Sequence, residues 1–357
     1  MNYQVNRGDT IAKIAVAHHV RPIDLVKANS FLKNEKAYVQ PGMTITIPTN
    51  QKFTYEKNPY ECVCEYGPSD LEKDLPELEK RGVKQSIIGY SVMKKPIYAF
   101  KLGSGPVSIF YSGGWHANEW LTTKFLITFL CKLANVRSKN EKLFGYDVNT
   151  WLRKVTLHVV PLVNPDGVEL VQQGIYPSHP FYNEVLSINK GSQQFDHWSS
   201  NIRGVDLNHQ WPAGWEEEAK ESPQQPWSRH YSGSAPLTEP EARAVYEYTL
   251  WYNFAYVLAF HSQGQVIYWG YRNLEPLESE EMVTRLSLVS SYSPIRTADS
   301  DGGYKDWFIQ ETGRPGFTIE VGVGINPLPF KAFSEIWSNN VMLALEGLTL
   351  WDEKNRP

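Results

Sequence analysis

Apolar and polar positions along this chain follow two periods, and the order in which they alternate outlines the elements. Near the N-terminus Tyr3-Gln4-Val5 alternates as a short strand does, and Gly8 permits a turn. Asp9 or Thr10 then stands where it can cap a helix carrying Ile11, Ile14 and Ala15 on one face. Pro22 suits the first turn of a second helix, Ile23 and Val26 share a face of it, and Asn29 is placed to end it in a left-handed conformation. Gln40-Pro41-Gly42 is turn chemistry, and Thr44 to Ile47 alternates again until Pro48 stops it. Strand, helix, helix, strand makes residues 1–50 a small unit of their own. Residues 51–69 read as a linker, because TNQKFTYEKNPY at 49–60 has no apolar period.

Further on the elements lengthen. Helical spacing from Leu71 to Arg81 holds Pro76 inside it, residues 87–103 suggest a hairpin, and PVSIFYSGG at 106–114 reads as a buried strand. Leu121 to Leu133 and Glu239 to Trp251 carry helical periods; Val155 to Val163, Tyr256 to Phe260 and Phe317 to Val321 are strand-like. Strands alternating with helices predict an α/β domain over 70–357, with a mixed, mostly parallel sheet flanked by helices. Ligands of such sheets sit at the carboxyl ends of the strands.

Composition narrows the function classes. A net charge of −4 offers no basic footprint for nucleic acid or anionic lipid. The most apolar stretch, Phe125 to Ala134, is interrupted by Lys132 and is too short for the ~20 apolar residues of a membrane-spanning helix. The opening residues show no secretory signal, so a cytoplasmic or spore location, with wall association after release, is the expectation. The odd set Cys62, Cys64 and Cys131 cannot all pair within the chain and reads as free thiols.

Candidate chemistry lies just after the predicted strands. PVSIFYSGG runs into Trp115-His116-Ala117-Asn118-Glu119, placing a histidine and a carboxylate three apart where a helix begins. The strand VLAF ends in His261. Two histidines and a glutamate with one open position are what a catalytic Zn²⁺ requires. HxxE alone recurs by chance, and a salt-bridging helix start explains it equally. Glu320 stands at the end of the apolar strand FTIEVG, which is costly unless it faces a site or a partner. Arg203, in NIRGVDLN, could serve a site or simply pair with Asp206.

Two resemblances sharpen these readings. The words YQVNRGDT and VQPGMTITIP closely resemble a LysM module, a family that binds N-acetylglucosamine-containing polymers; the resemblance implies glycan contacts at Gly8, Asp9 and Thr10. The ordered set SGGWHANEW, LVNPDGVEL, IRGVDLN, AFHSQG, GGYKDWF and FTIEVG closely resembles the M14 zinc carboxypeptidases over roughly residues 70 to 350. That resemblance implies one zinc held by His116, Glu119 and His261, Glu320 as general base, Arg203 as the oxyanion-stabilising arginine, and Asn208 as a holder of substrate carboxylate.

The chain departs from the family at two places. Asn208 is followed by His209 where carboxypeptidases usually carry an arginine that clamps the terminal carboxylate. The family tyrosine falls on Ala298, with Tyr304 nearby as a substitute or as plain packing. Joined to a LysM-like module, the M14 resemblance implies γ-D-glutamyl-meso-diaminopimelate peptidases acting on peptidoglycan stem peptides, and the first departure fits a substrate whose leaving side is not a plain L-amino acid. Asn208, His209 and Arg229 are then candidates for the second diaminopimelate carboxylate. A general metallocarboxypeptidase and an inactive glycan-binding protein are the competing readings; oligomeric state is not legible.

Overall fold

The structure is a computed structural model and describes residues 1–48, 62–297 and 300–351. The linker residues 51–61 and Ala298 lie outside the described residues.

The N-terminal unit is built from β1 (Asn2–Gln4), α1 (Ile11–Ala17), α2 (Pro22–Ala28) and β2 (Thr44–Thr46). The strands pair antiparallel with Tyr3 opposite Ile45. Thr10 caps α1 by accepting from the Lys13 N–H at 3.2 Å. Ile11, Ile14, Leu25 and Ile45 bury against one another in a core of the unit's own. Asn29 differs from the sequence expectation: its backbone is extended, not left-handed. Its side chain explains why, since Nδ2 donates to the carbonyls of Leu25 and Thr46 while Oδ1 accepts from the Thr46 N–H at 2.8 Å. One amide thereby ties the end of α2 to β2.

The larger unit continues through α3 (Pro68–Lys80), β3 (Lys84–Tyr90), β4 (Pro96–Gly103), β5 (Val107–Ser112), α4 (Leu121–Lys139), α5 (Val148–Lys154) and β6 (Val155–Val160). After these come α6 (Pro165–Gln173), α7 (Tyr182–Ile188), α8 (Trp215–Glu221), α9 (Pro240–Tyr252), β7 (Val257–His261) and β8 (Val266–Tyr268). The chain then forms α10 (Glu278–Ser290), β9 (Ser293–Ile295), α11 (Tyr304–Thr312), β10 (Gly316–Glu320) and α12 (Phe333–Gly347). Residues 62–69, read as linker, belong to this unit: Cys62 and Tyr66 are buried in its core and α3 starts at Pro68.

Among the described residues eight strands form one sheet in the order β3-β4-β6-β5-β7-β10-β8-β9. Its centre, β6-β5-β7-β10, is parallel, while β3-β4, β4-β6 and β10-β8 pair antiparallel. Alternation along the strands separates two cores. Leu258 and Phe260 of β7 face α4, α10 and α12, whereas Val257 and Ala259 face α9 and α11. Both faces are covered, which is why the central strands are apolar on both sides. Among the described residues no helix is long and apolar enough to cross a membrane.

The two units are docked. Lys13 Nζ lies 2.5 Å from Asp70 Oδ2, Thr10 donates to Glu65 Oε2 at 2.5 Å, and Arg7 pairs with Glu169 at 3.1 Å. Glu169 in turn pairs with Lys95, which reaches Asp166. Gly8 has φ +91, and a Cβ there would lie 2.2 Å from Ser69 Oγ, so glycine is required by the turn and by the close approach together.

Candidate metal centre and active site

Three parallel strand ends assemble the site. β5 ends at Ser112, level with Ala259 of β7, and β7 and β10 run in register with His261 opposite Glu320. The chain leaves β5 through Gly114, at φ +60, where a Cβ would lie 2.5 Å from Thr123 Oγ1. This turn delivers His116 and Glu119 before α4 begins at Leu121, so the HxxE pair sits on a turn, with the Glu119 N–H donating to the His116 carbonyl, rather than on the helix itself.

His116, Glu119 and His261 converge. The two Nδ1 atoms face each other at 3.3 Å. Glu119 places Oε1 2.9 Å from His116 Nδ1 and Oε2 3.3 Å from His261 Nδ1. Two ring nitrogens and a carboxylate directed at one buried point suit a cation far better than they suit one another. His116 Nε2 meets Asp206 Oδ1 at 3.0 Å, which fixes the ring and leaves Nδ1 turned inward. Glu119 is held by the Ser262 N–H on Oε2 and by Asn326 Nδ2 on Oε1. The sequence reading considered Asp206 only as a partner for Arg203 and did not find Ser262 or Asn326, because neither residue type nor spacing marks them.

Electrostatics agree with a site built around a positive charge. Burial opposes charge on His116, but Glu119 and Asp206 outweigh it and hold the ring well above its usual range. Burial would raise Glu119, yet His116 and His261 hold it down to about 2. Glu320 is pushed up to about 8, by burial and by the Glu119 charge. Asp206, His209 and His230 form a second cluster of possible ligands, but both Asp206 oxygens are already engaged, Oδ1 by His116 and Oδ2 by the His230 N–H.

Residues 71–342 match the zinc carboxypeptidase (Peptidase_M14) family model, and residues 3–48 match the LysM domain. The chain belongs to the M14 zinc carboxypeptidase family. Zinc is the metal of that family, and the His116, Glu119 and His261 donor set fits it. The chain is 48% identical over 263 residues to the γ-D-glutamyl-L-diamino acid endopeptidase 1 of Lysinibacillus sphaericus, a match covering 74% of this chain and 66% of that protein. It is 38% identical to the YqgT protein of Bacillus subtilis strain 168, covering 76% of this chain and 74% of that one. The crystal structure of thrombin activatable fibrinolysis inhibitor shares the fold, with a TM-score of 0.63 at 18% identity over 82% of this chain and 78% of that one.

The other expected site residues are placed differently. Arg203 pairs with Glu239 at 3.6 Å and is half exposed in a groove with Trp227 and Ile188; no hydrogen bond or ion pair among the described residues joins it to the metal cluster. Tyr304 is wholly buried, donating to or accepting from Thr249 and packed on Trp115 and Trp211, which makes it core and not a substrate contact. Asn208 turns Oδ1 to the Tyr304 N–H. His209 pairs with Glu218 at 3.0 Å. Burial works against its charge, but Asp206 and Glu218 outweigh burial and raise its pKa. Arg229 is exposed and carries no ion pair among the described residues; it precedes His230, whose N–H holds Asp206.

The expected glycan contacts also move. The Gly8 N–H donates to Gln173, Thr10 is spent on α1 and Glu65, and Asp9 Oδ2 accepts from Tyr3 and the Asn6 N–H. Gly8 and Thr10 are buried where the two units meet, so this turn fastens the module to the peptidase and is not an open glycan surface.

Proposed function

We propose that this zinc peptidase hydrolyses the γ-D-glutamyl-meso-diaminopimelate bond of peptidoglycan stem peptides, with the LysM domain contributing contact to the attached glycan. The observation that carries the reading is His209. Where the family's arginine would clamp a terminal carboxylate, a largely buried imidazole is tied to Glu218, so this position offers no arginine to a plain C-terminus. The name of the Lysinibacillus sphaericus relative supports the same substrate class.

His116, Glu119 and His261 would hold the zinc ion, which when bound would supply Lewis-acid polarisation at the scissile amide. The chain's own residues do the rest. Glu320, at the strand end beside His261, takes a proton from the attacking water and returns it to the leaving amine. Asp206 keeps His116 in the tautomer with Nδ1 turned inward. Asn208, fixed by the Tyr304 N–H, and Arg229, which carries no ion pair among the described residues, are the groups offered to the diaminopimelate carboxylates, and Arg203 serves the oxyanion only after leaving Glu239.

Incubation with L-Ala-γ-D-Glu-meso-diaminopimelate should release free diaminopimelate, seen by mass spectrometry, while an ordinary C-terminal L-dipeptide stays intact. Replacing diaminopimelate by lysine should lower kcat/KM at least about ten-fold, since an unpaired polar partner costs ~1–3 kcal/mol, and Arg229→Ala should narrow that gap. Faster release of ordinary C-terminal residues would favour a general carboxypeptidase.

A further inference from the structure

The loop that carries Arg203 stands on the turn that carries His116. At one foot the Ala117 N–H donates to the Ser199 carbonyl at 2.9 Å, and at the other Asp206 Oδ1 meets His116 Nε2 at 3.0 Å. Between the feet the buried Asn201 closes the loop: its N–H donates to the Val205 carbonyl, and its Oδ1 accepts from the Arg203 and Val205 N–H groups. Gly204 completes the turn at φ +74, where a Cβ would lie 3.0 Å from the Trp227 backbone nitrogen. Arg203 therefore rides at the tip, and the backbone from there to Asp206 spans at most roughly 10 Å.

The tip borders a groove of about 810 Å³ whose apolar wall is Phe181, Ile188 and Trp227. Among the described residues lining it, Arg203 is the one cation and the exposed Glu184 the one acid, so a polyanion is disfavoured and a ligand with a single carboxylate fits. Lys190 adds positive potential from above the Trp227 ring, 4.9 Å from its centroid. The present partner of Arg203 is loose. One guanidinium nitrogen lies 3.6 Å from Glu239 Oε2, beyond hydrogen-bond length, and that oxygen already accepts from the Asn201 amide at 2.7 Å. The guanidinium donates no hydrogen bond among the described residues, which leaves a planar fork of donors half exposed at the groove.

A γ-glutamyl bond leaves the α-carboxylate of its residue free, three carbons from the carbonyl that is cut. Most α-linked residues carry no anion at that distance. We propose that Arg203 binds the α-carboxylate of the D-glutamyl residue, with the L-alanyl methyl group against Trp227 and Ile188, so that this groove reads the acyl half of the substrate. The substrate carboxylate, held by two parallel N–H bonds, takes the place of Glu239 on the guanidinium, and this exchange is what draws Arg203 into the reaction. The proposal rests on the substrate reading above and adds to it the requirement for an anion on the acyl side of the scissile bond.

The test gives the full chain with its zinc two substrates that share a leaving group, L-Ala-γ-D-Glu-meso-diaminopimelate and the same peptide with D-isoglutamine, whose α-carboxylate is an uncharged amide. Amidation should lower kcat/KM about ten-fold or more. Arg203→Gln should bring the ratio of the two substrates to near unity, and Trp227→Ala should raise KM for both while keeping their ratio. Equal rates on the two substrates in the parent overturn the proposal, as does a preference that survives Arg203→Gln; an unchanged KM in Trp227→Ala overturns the groove as the acyl site. Where Arg203→Gln cuts neither peptide, calorimetric titration with the acyl products decides: L-Ala-D-Glu, γ-free, should bind the parent more tightly than its α-amide and bind the variant no better than that amide. Should the parent itself cut neither peptide, the substrate reading fails alone and the same titration decides the groove, no discrimination at millimolar dipeptide overturning it.

Discussion

Individual side chains divide the labour at this centre, and each can be removed separately. Glu320→Gln should keep zinc and fold while kcat falls about 10²–10⁴-fold, since an amide cannot accept the proton; metal analysis beside steady-state kinetics checks both halves, and a kcat within a few-fold of the parent would take Glu320 out of the mechanism. Asp206→Asn acts one step removed. It leaves His116 without its anionic bracket and should weaken zinc retention by about 10–100-fold, read by competition with a chelator of known affinity. An unchanged metal affinity would mean that His116 is oriented by packing alone.

At the scale of elements, β6 carries a buried titratable group unconnected with catalysis. His158 sits against Tyr248 OH at 2.7 Å, and burial, helped by Lys101, pushes its pKa down to about 3. The folded protein therefore keeps this ring neutral while the unfolded chain protonates it below about 6.5. More protons on the unfolded state means that stability falls as pH falls from about 6.5 towards about 3, by up to about 1.4 kcal/mol per pH unit. His158→Gln should flatten that slope in urea titrations taken across this range. Parallel curves for parent and variant would show that the ring is not held neutral. The amide of Asn29 is a comparable device at an element end: Asn29→Ala removes three hydrogen bonds, two joining the end of α2 to β2 and one to the Leu25 carbonyl within α2, and should cost about 1–3 kcal/mol by the same titration.

Across the whole molecule the consequence is that the N-terminal module is not a loose tether. The sequence suggests a separable unit on a linker, but Arg7, Thr10 and Lys13 all spend their polar groups on the peptidase. Removing residues 1–48 leaves Glu65, Asp70 and Glu169 without those partners, so the truncated domain should unfold at a lower temperature than the full chain, measured by calorimetry. An unchanged midpoint would show that docking adds nothing to stability.

Sequence by itself determined the main periodic elements, the α/β class with its mixed sheet and the metal-binding triad, because each is written in local spacing or in residues at strand ends: His116 and Glu119 after β5, His261 at the end of β7, Glu320 at the end of β10; the order of the strands in the sheet is tertiary. Tertiary structure alone decided which groups stand behind and beside them. Asp206 and Asn326 reach the triad from segments 90 and 207 residues from the residues they hold, a contact that no local period encodes. Tyr304 turned out to be core because three aromatic neighbours from distant segments enclose it, and Arg203 was drawn to Glu239 by the fold of its loop. Gly8 and Thr10 carry the same residues whether a module is free or docked; only the approach of residues 65–70 and of α6 turns that loop from a ligand surface into a joint. Spacing along a chain reports what a segment can present, while the partner it meets is set by packing between segments that are remote in sequence.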